Sequence, residues 1–410
     1  MIRIDENKNN ERYTLLIPAM LDAHFPLIKY AFFSRNYHPV ILDIEDNVIN
    51  TGLKYVNNDM CFPCILNTGQ MIAALQSGVY DPKRTLLLMP TAGDACRGAN
   101  YFAVVKRAVA AAGFSDVRVM SLNLKGIEKD SMLKLNVAMV WRAFLGAYYG
   151  DILMILLNQT RPYEKLPGSA EAMWNKWMMK LGEDLKRWKH VSLHAMISNF
   201  DKIAKDFASL ERTDVKKTRV GIVGELYIKY CHLGNLNMIK FLEEHDCESH
   251  TNGLSWYAMY YMDSHMAISD DFEGFLYKMG LKLFGYVQNK MVNAIKRYGF
   301  YTLEPFGVLK HEAEEYVNKN DCIGDGWLIG AEAVGHILHE CPKVVAVQPF
   351  GCMPNHVCGR GLYPSLQRKL PQGHIVSVDT DSGGSELNVY NRVLMLLFES
   401  TTHTKEEKDV

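Results

Sequence analysis

Short apolar runs that alternate with amphipathic segments constrain this chain more than any other feature. Tyr13–Pro18, Pro39–Ile44 (PVILDI), Thr85–Met89 and Val117–Leu122 are predicted as strands. Between them, Ala23–Asn36, the run ILNTGQMIAALQSG after Cys64, and Tyr101–Ala112 carry helical spacing. Several of these strands are apolar almost throughout, the mark of strands buried on both faces. The rhythm predicts an α/β chain with a mostly parallel sheet covered by helices on both sides. It resumes at Thr218–Leu226, with helices over Asn235–His245, Asp271–Arg297 and Trp327–His339. Strands Val344–Gln348 and Ile375–Asp379 bracket another helix, and Ser385–Phe398 forms the last one before a polar, frayed tail.

From Lys125 to Thr213 no strand pattern is visible. Met132–Tyr149 and Ala170–Leu210 instead predict a helical insertion, in which Met173, Trp174, Trp177, Met178 and Met179 pack a core or a subunit interface. The expected division is therefore an α/β domain over 1–125, a helical segment over 126–215 and a second α/β domain over 216–410. A chain of 410 residues is long enough for such domains to have their own cores. Its longest apolar stretch, Val137–Leu157, is broken by Trp141, Arg142 and Asp151, which predicts a buried or interface helix rather than a membrane span. The net charge is −1 with both signs interleaved, so no nucleic-acid or membrane-surface partner is expected. The first residues lack the apolar core of a signal peptide, and a cytoplasmic location is expected.

Nine cysteines, an odd number in a long chain of this kind, do not suggest a disulfide framework. Four of them sit where strands end or helices begin, the edge at which open α/β sheets place ligands. Cys61 and Cys64 form CFPC directly ahead of a helix, whose N-terminus favours thiolate. Cys96 lies in the small-residue loop TAGDACRGANY, and Cys352 in QPFGCMPNH after a strand. Three loops from two α/β units thus offer four thiolates, which matches the ligand demand of a cubane cluster at the domain interface. A thioredoxin-type CxxC pair would leave Cys96 and Cys352 unexplained, and a zinc site lacks a compact second pair of ligands. Cys231, Cys247, Cys322 and Cys341 are expected to be structural thiols, with Cys358 a spare candidate ligand. Phosphate-loop, GxGxxG, GxSxG and HExxH motifs are absent.

The blocks CFPCILNTG, AGDACRGANY, GELYIKY, GDGWLIGAEA, QPFGCMPNHVCGRG and DTDSGGSELNVYNR occur in that order. Together they resemble the acyl-CoA dehydratase activase-related proteins, and more distantly the 2-hydroxyacyl-CoA dehydratase subunits and double-cubane cluster proteins. The resemblance spans nearly the whole chain and is weakest in its helical middle. It implies two flavodoxin/Rossmann-like domains and a place in the low-potential electron pathway of anaerobic metabolism. There, a separate ATP-dependent activator with its own iron–sulfur cluster would deliver the electron. Cys61, Cys64, Cys96 and Cys352 would be the ligands of one [4Fe–4S] cluster. A double-cubane cluster would require more thiolates, Cys358 being the nearest. Four cysteines saturate a cubane, whereas the dehydratases keep an iron open, so electron transfer is expected over substrate ligation. A small-molecule or acyl-CoA substrate stays open, and a homodimer is expected.

Position suggests further roles. Arg97 would offset cluster charge or hold an anion, while Glu225 and Tyr227 end a strand near the same cleft. Asn355 and His356 follow Cys352, and His356 is a candidate proton donor. Asp381, Ser385 and Asn388 open the last helix, with capping as the plainer reading. A non-catalytic subunit with a structural cluster and a thiol–disulfide oxidoreductase using Cys61 and Cys64 remain as alternatives.

Overall fold

The computed structural model describes residues 12–91, 96–123, 126–127, 135–266 and 269–398. The chain divides into two units, Met1–Gly150 with Trp177–Met196, and Asp151–Lys176 with Ile197–Val410. Residues 126–215 are accordingly shared between them.

The first unit contains β1 (Tyr13–Ile17), β2 (Tyr37–Ile41), β3 (Thr85–Pro90), β4 (Arg118–Asn123) and the short β5 (Gly126–Ile127), in the order β2-β1-β3-β4-β5. All pairings are parallel except β4 with β5. Leu15 and Leu16 of β1 lie in register with Leu86 and Leu87 of β3, and all four are buried, as the unbroken apolar runs require. Helices α1 (Phe25–Ile28), α2 (Val48–Tyr55), α3 (Phe62–Gln76) and α4 (Tyr101–Ala111) join these strands.

The predicted helix over 23–36 shrinks to α1 and a 3₁₀ turn, Lys29–Ala31. The Ser34 hydroxyl accepts bonds from the amides of Asn36 and Tyr37 (both 3.2 Å), a local turn that competes with the helix. Helix α2 was not foreseen; Gly52 at its centre weakens the local signal, and tertiary packing holds it in place. Its partner α3 is buried all round, with only Ala73 and Gln76 of its fifteen residues outside the buried set. The two helices cross at reciprocal glycines. A Cβ on Gly52 would meet the Ile65 carbonyl oxygen at 2.2 Å, and one on Gly69 would meet that of Val48 at 2.1 Å.

The second unit repeats the arrangement with β6 (Thr218–Gly224), β7 (Cys247–His250), β8 (Lys343–Pro349) and β9 (His374–Thr380), all parallel in the order β7-β6-β8-β9. Strand β7 escaped the apolar pattern because CESH carries charge. Its four residues are nonetheless buried, and Glu248 accepts a 2.6 Å bond from the Tyr163 hydroxyl. Helices α5 (Val137–Thr160), α6 (Ser169–Lys186) and α7 (Leu193–Ala208) make up the helical middle. The strand β5 and an isolated antiparallel bridge between Glu164 and Arg212 correct the expectation that this stretch holds no extended pairing. The start expected for α5, at Met132, lies outside the described residues, as does the tail after Phe398.

Val137–Tyr163 is, among the described residues, the one helix long and apolar enough to cross a membrane, and 67 % of its apolar window is buried within the protein. Asp151, fully buried on it, accepts bonds from the amides of Leu254 (2.6 Å) and Ser255 (3.1 Å). A carboxylate thus satisfies the free donors at the start of α10 (Leu254–Met266), as expected of a core helix. The remaining helices are α8 (Leu226–Tyr230), α9 (Met238–Glu244), α11 (Asp271–Arg297), α12 (Phe306–Glu312), α13 (Gly326–Leu338), α14 (Tyr363–Lys369) and α15 (Glu386–Phe398). Helices α8, α10 and α12 were not foreseen. A π-helical segment, Asn355–Arg360, precedes α14.

Candidate functional site

In each sheet the chain leaves its first strand toward one side and returns on the other, so the direction of winding reverses between β1 and β3 and between β6 and β8. Such switch points open a crevice outside the carboxyl ends of the two strands. Cys61, Cys64 and Cys96 belong to the first unit and Cys352 to the second.

In the first unit Cys61 occupies the N-cap position of α3 in extended conformation, without a capping bond from its thiol, and Cys64 follows in the first turn. Pro63 suits that turn, where its missing N–H would have no partner. Further along α3, Gln70 holds residue 19 just past β1, accepting from the Ala19 amide at 2.8 Å. Cys96 caps a short 3₁₀ turn, its Sγ accepting from the Gly98 amide at 3.3 Å. Arg97 then reaches back, donating from Nη1 to the Asp59 carbonyl at 2.9 Å, two residues ahead of Cys61. Loops that are distant in sequence therefore share one recess of about 270 Å3, lined by Asn57, Asp59, Met60, Arg97 and Asn100.

Cys61 and Cys64 are both buried, and neither is in a disulfide. Burial pushes the Cys64 thiol up to about 12, against a smaller opposing pull from the Thr68 hydroxyl. One turn past Cys64, Asn67 is fully buried with neither side-chain polar atom hydrogen-bonded. Burying an amide without partners costs free energy, which singles Asn67 out beside the two thiols. Zinc–sulfur bonds of about 2.3 Å put tetrahedral thiolates roughly 3.8 Å apart. Among the described residues of the first unit, no three ligand atoms lie within 4.8 Å of one another. As placed, the described donors of the first unit are therefore not gathered tightly enough for a single zinc ion.

In the second unit Gly224 ends β6 with φ +125°, and a Cβ there would meet the Val347 carbonyl oxygen at 2.0 Å. Only glycine fits both conditions. The turn it permits sets Glu225 at the N-cap of α8, its Oε2 accepting from the Ile228 amide at 2.8 Å. Gly224→Ala is expected to destabilise this unit by about 2 to 4 kcal/mol, from strain plus overlap with backbone. Urea unfolding followed by circular dichroism checks this; a loss under 1 kcal/mol would show that the turn relaxes.

Cys352 follows β8. Asn355, fully buried, donates through Nδ2 to Cys352 Sγ (3.3 Å) and to Asp325 Oδ2 (3.2 Å). Burial, the neighbouring Glu225 and Asp325 carboxyls together raise the Cys352 thiol well above its ordinary range. Part of Glu225 reaches solvent, yet its carboxyl is enclosed by protein. Burial raises Glu225 first, then the charge of Asp325. Asp325 is raised by burial and by Glu332, against the pull of Lys229. The two carboxyls titrate as a pair. Behind them Lys229 Nζ donates to Glu332 (2.9 and 3.0 Å) and to Asn252 Oδ1 (2.8 Å), all buried.

His356 makes polar contacts through both ring nitrogens. Its Nδ1 donates to the Cys352 carbonyl oxygen (2.7 Å), and Arg360 donates to its Nε2 at 3.4 Å. Nε2 also lies 3.7 Å from Asp379 Oδ1. Arg360 also pairs with Asp379 at 2.7 Å. Asp381 turns onto the Ser382 amide (2.7 Å), and the Ser385 carbonyl accepts from Asn388. These are local capping bonds, in line with the plainer reading of that loop.

The sequence reading located the cysteines, Arg97, Glu225, Asn355 and His356 but gave no role to Asp325, Lys229 or Glu332. The signal was there in part, since Asp325 and Glu332 both lie in GDGWLIGAEA. Cys231, Cys247 and Cys341 are buried and Cys322 partly so. Burial lifts the Cys358 thiol to about 11. No family model matches the chain, and no curated protein matches it.

Proposed function

We propose that this chain is an iron–sulfur protein of the 2-hydroxyacyl-CoA dehydratase/activase type, built on two flavodoxin-like domains. It accepts low-potential electrons from a separate ATP-dependent activator and relays them or reduces a small substrate. Cys61, Cys64, Cys96 and Cys352 are the proposed ligands of one [4Fe–4S] cluster, in a cytoplasmic, reducing setting. The observation that carries this reading is the recess joining the Cys61 and Cys96 loops, tied by Arg97 to the Asp59 carbonyl. The unpartnered buried Asn67 supports it. A bound cluster would supply a one-electron site. The chain's own part is to hold the thiols at the start of α3 and at the 3₁₀ turn that Cys96 caps, to set the Arg97 guanidinium against cluster charge, and to keep Cys61 and Cys64 out of water. Glu225 and His356 lie beside Cys352 as candidate proton carriers, and neither is a proposed ligand.

Burial of Cys61 and Cys64 weighs against the thiol–disulfide alternative, which needs an exposed, acidic attacking thiol. Anaerobic purification or reconstitution, with iron and sulfide measured per chain, tests the proposal. About four of each per chain is expected. Cys61→Ser, Cys64→Ser, Cys96→Ser and Cys352→Ser should each lose most of the iron. Stoichiometric zinc, or no metal after reconstitution, would sink the cluster reading. If only the first three variants lose iron, the ligand set narrows to the first unit.

A further inference from the structure

Charges of both signs are interleaved along the sequence, but the fold of the first unit gathers cations from distant segments onto one phenyl ring. Arg142 fixes the corner between α1 and β2, donating from Nη1 to the carbonyl oxygens of Tyr30 and Phe33 (3.3 and 3.2 Å). Helix α6 lies close against this corner because Gly182 leaves room for an aromatic ring. A Cβ there would meet Tyr30 Cε2 at 2.9 Å. Lys186, one turn further along the same helix face, then places Nζ 5.4 Å from the Phe33 ring centroid. Arg12, just ahead of β1, brings its guanidinium carbon to 5.3 Å from the same centroid. Lys29 stands over the neighbouring Tyr30 ring at 5.6 Å, and the His38 ring of β2 lies 6.4 Å from that of Phe33.

Among the described residues, none of Arg12, Lys29 and Lys186 has a carboxylate partner. Glu183, which acts on the Tyr30 hydroxyl, is itself paired with Arg187. The cations act on one another instead. Lys29 is held below its ordinary range by burial and then by Lys186. His38 is held down by burial and then by Lys29, Arg12 and Lys186. The dipole of α6 favours Lys186 in its last turn, and contact with a ring favours each cation singly. Neither effect accounts for three like charges set together, which repel until an anion offsets them.

We propose that this corner is a phosphate site, in which Arg12, Lys29 and Lys186 hold a compact anion of two or more negative charges, such as a pyrophosphate group. Compactness argues for that occupant. The cations surround two adjacent rings rather than running as a stripe along a helix, so a short multivalent anion can meet all of them. A single carboxylate would leave most of their charge uncompensated. The site lies at the amino ends of β1 and β2, where Thr14 pairs with His38, on the edge opposite the strand end from which the Cys96 loop leaves. It does not depend on the cluster reading, and its test needs no metal.

Isothermal titration of the full chain with inorganic pyrophosphate at low ionic strength is the primary measurement, and saturable binding at one site is expected. Lys186→Ala and Lys29→Ala should each weaken it about tenfold, and Arg12→Ala combined with Lys186→Ala about 100-fold, with unchanged circular dichroism spectra. Lys189→Ala removes an exposed charge that acts on neither Lys29 nor His38, and should change binding by less than about twofold. Added salt should weaken binding steeply. In carbon-13-labelled histidine spectra, the His38 resonance, assigned with His38→Gln, should titrate at higher pH once pyrophosphate is bound. The anion offsets the three cations that oppose protonation of the ring. ADP in place of pyrophosphate separates the two sources of the phosphate. Affinity within about tenfold marks an inorganic ligand, and a larger gain marks a nucleotide. Absence of saturable pyrophosphate binding overturns the proposal. So does binding that Lys189→Ala weakens as much as Lys186→Ala, a His38 titration that pyrophosphate leaves in place, or duplex DNA binding far more tightly than either probe.

Discussion

Lys229→Ala is expected to cost the second unit about 3 to 5 kcal/mol, enough to unfold a marginal domain. The reason lies in what remains behind. Glu332, 1 % exposed, would lose its ammonium partner, and Asn252 Oδ1 would lose a 2.8 Å donor. Asn252 Nδ2, which donates to Glu332 Oε1 at 2.5 Å, cannot neutralise a carboxylate alone. Removing one member of a buried pair is far worse than replacing both, because the uncompensated charge keeps its desolvation penalty. The double variant Lys229→Met with Glu332→Gln should therefore recover a large part of the loss. Urea unfolding of the single and double variants reads this directly. A single-variant loss below 1 kcal/mol, or a double variant worse than the single, would show that Glu332 finds water or another donor.

The second large effect is expected in the first unit at the crossing of α2 and α3. Helix propensity favours Gly69→Ala by about 0.8 to 1 kcal/mol. The tertiary structure reverses that sign, because the new methyl would sit 2.1 Å from the Val48 carbonyl oxygen, a backbone atom that cannot swing aside. A net loss of about 2 to 3 kcal/mol is expected for Gly69→Ala, and more for Gly69→Val. Since α3 also bears Cys61 and Cys64 at its start, the variant should lower iron retention after reconstitution without altering any proposed ligand. Unfolding curves together with iron content check both halves. A stabilised Gly69→Ala would mean that the helices cross farther apart.

Much of the fold was legible because parallel strands buried on both faces need unbroken apolar runs. Tyr13–Ile17, Thr85–Pro90, Thr218–Gly224 and Lys343–Pro349 announce themselves in this way. Strand β7 did not, since Glu248 is buried through a partner, Tyr163, that lies 85 residues away. Helix α2 was missed for a related reason: its central glycine, a poor helix former, is required by a neighbour rather than by the helix itself. Serine side-chain bonds at Ser34 cut short a helix that periodicity alone would extend to Asn36.

For the candidate site, the sequence by itself determined the chemistry on offer: four cysteines at strand ends and a helix start, with Arg97, Glu225 and His356 beside them. Local rules suffice there, because a CxxC before an amphipathic run and a cysteine after an apolar run can be read within a few residues. Only the tertiary structure decided which groups act together. It brought Arg97 to the Asp59 carbonyl, set Asp325 and Asn355 against Cys352, and paired Lys229 with Glu332 across 103 residues. It also turned His356 so that Nδ1 is spent on the Cys352 carbonyl. Buried polar groups take whatever partner the packed chain delivers, and that partner's distance along the sequence leaves no periodic trace.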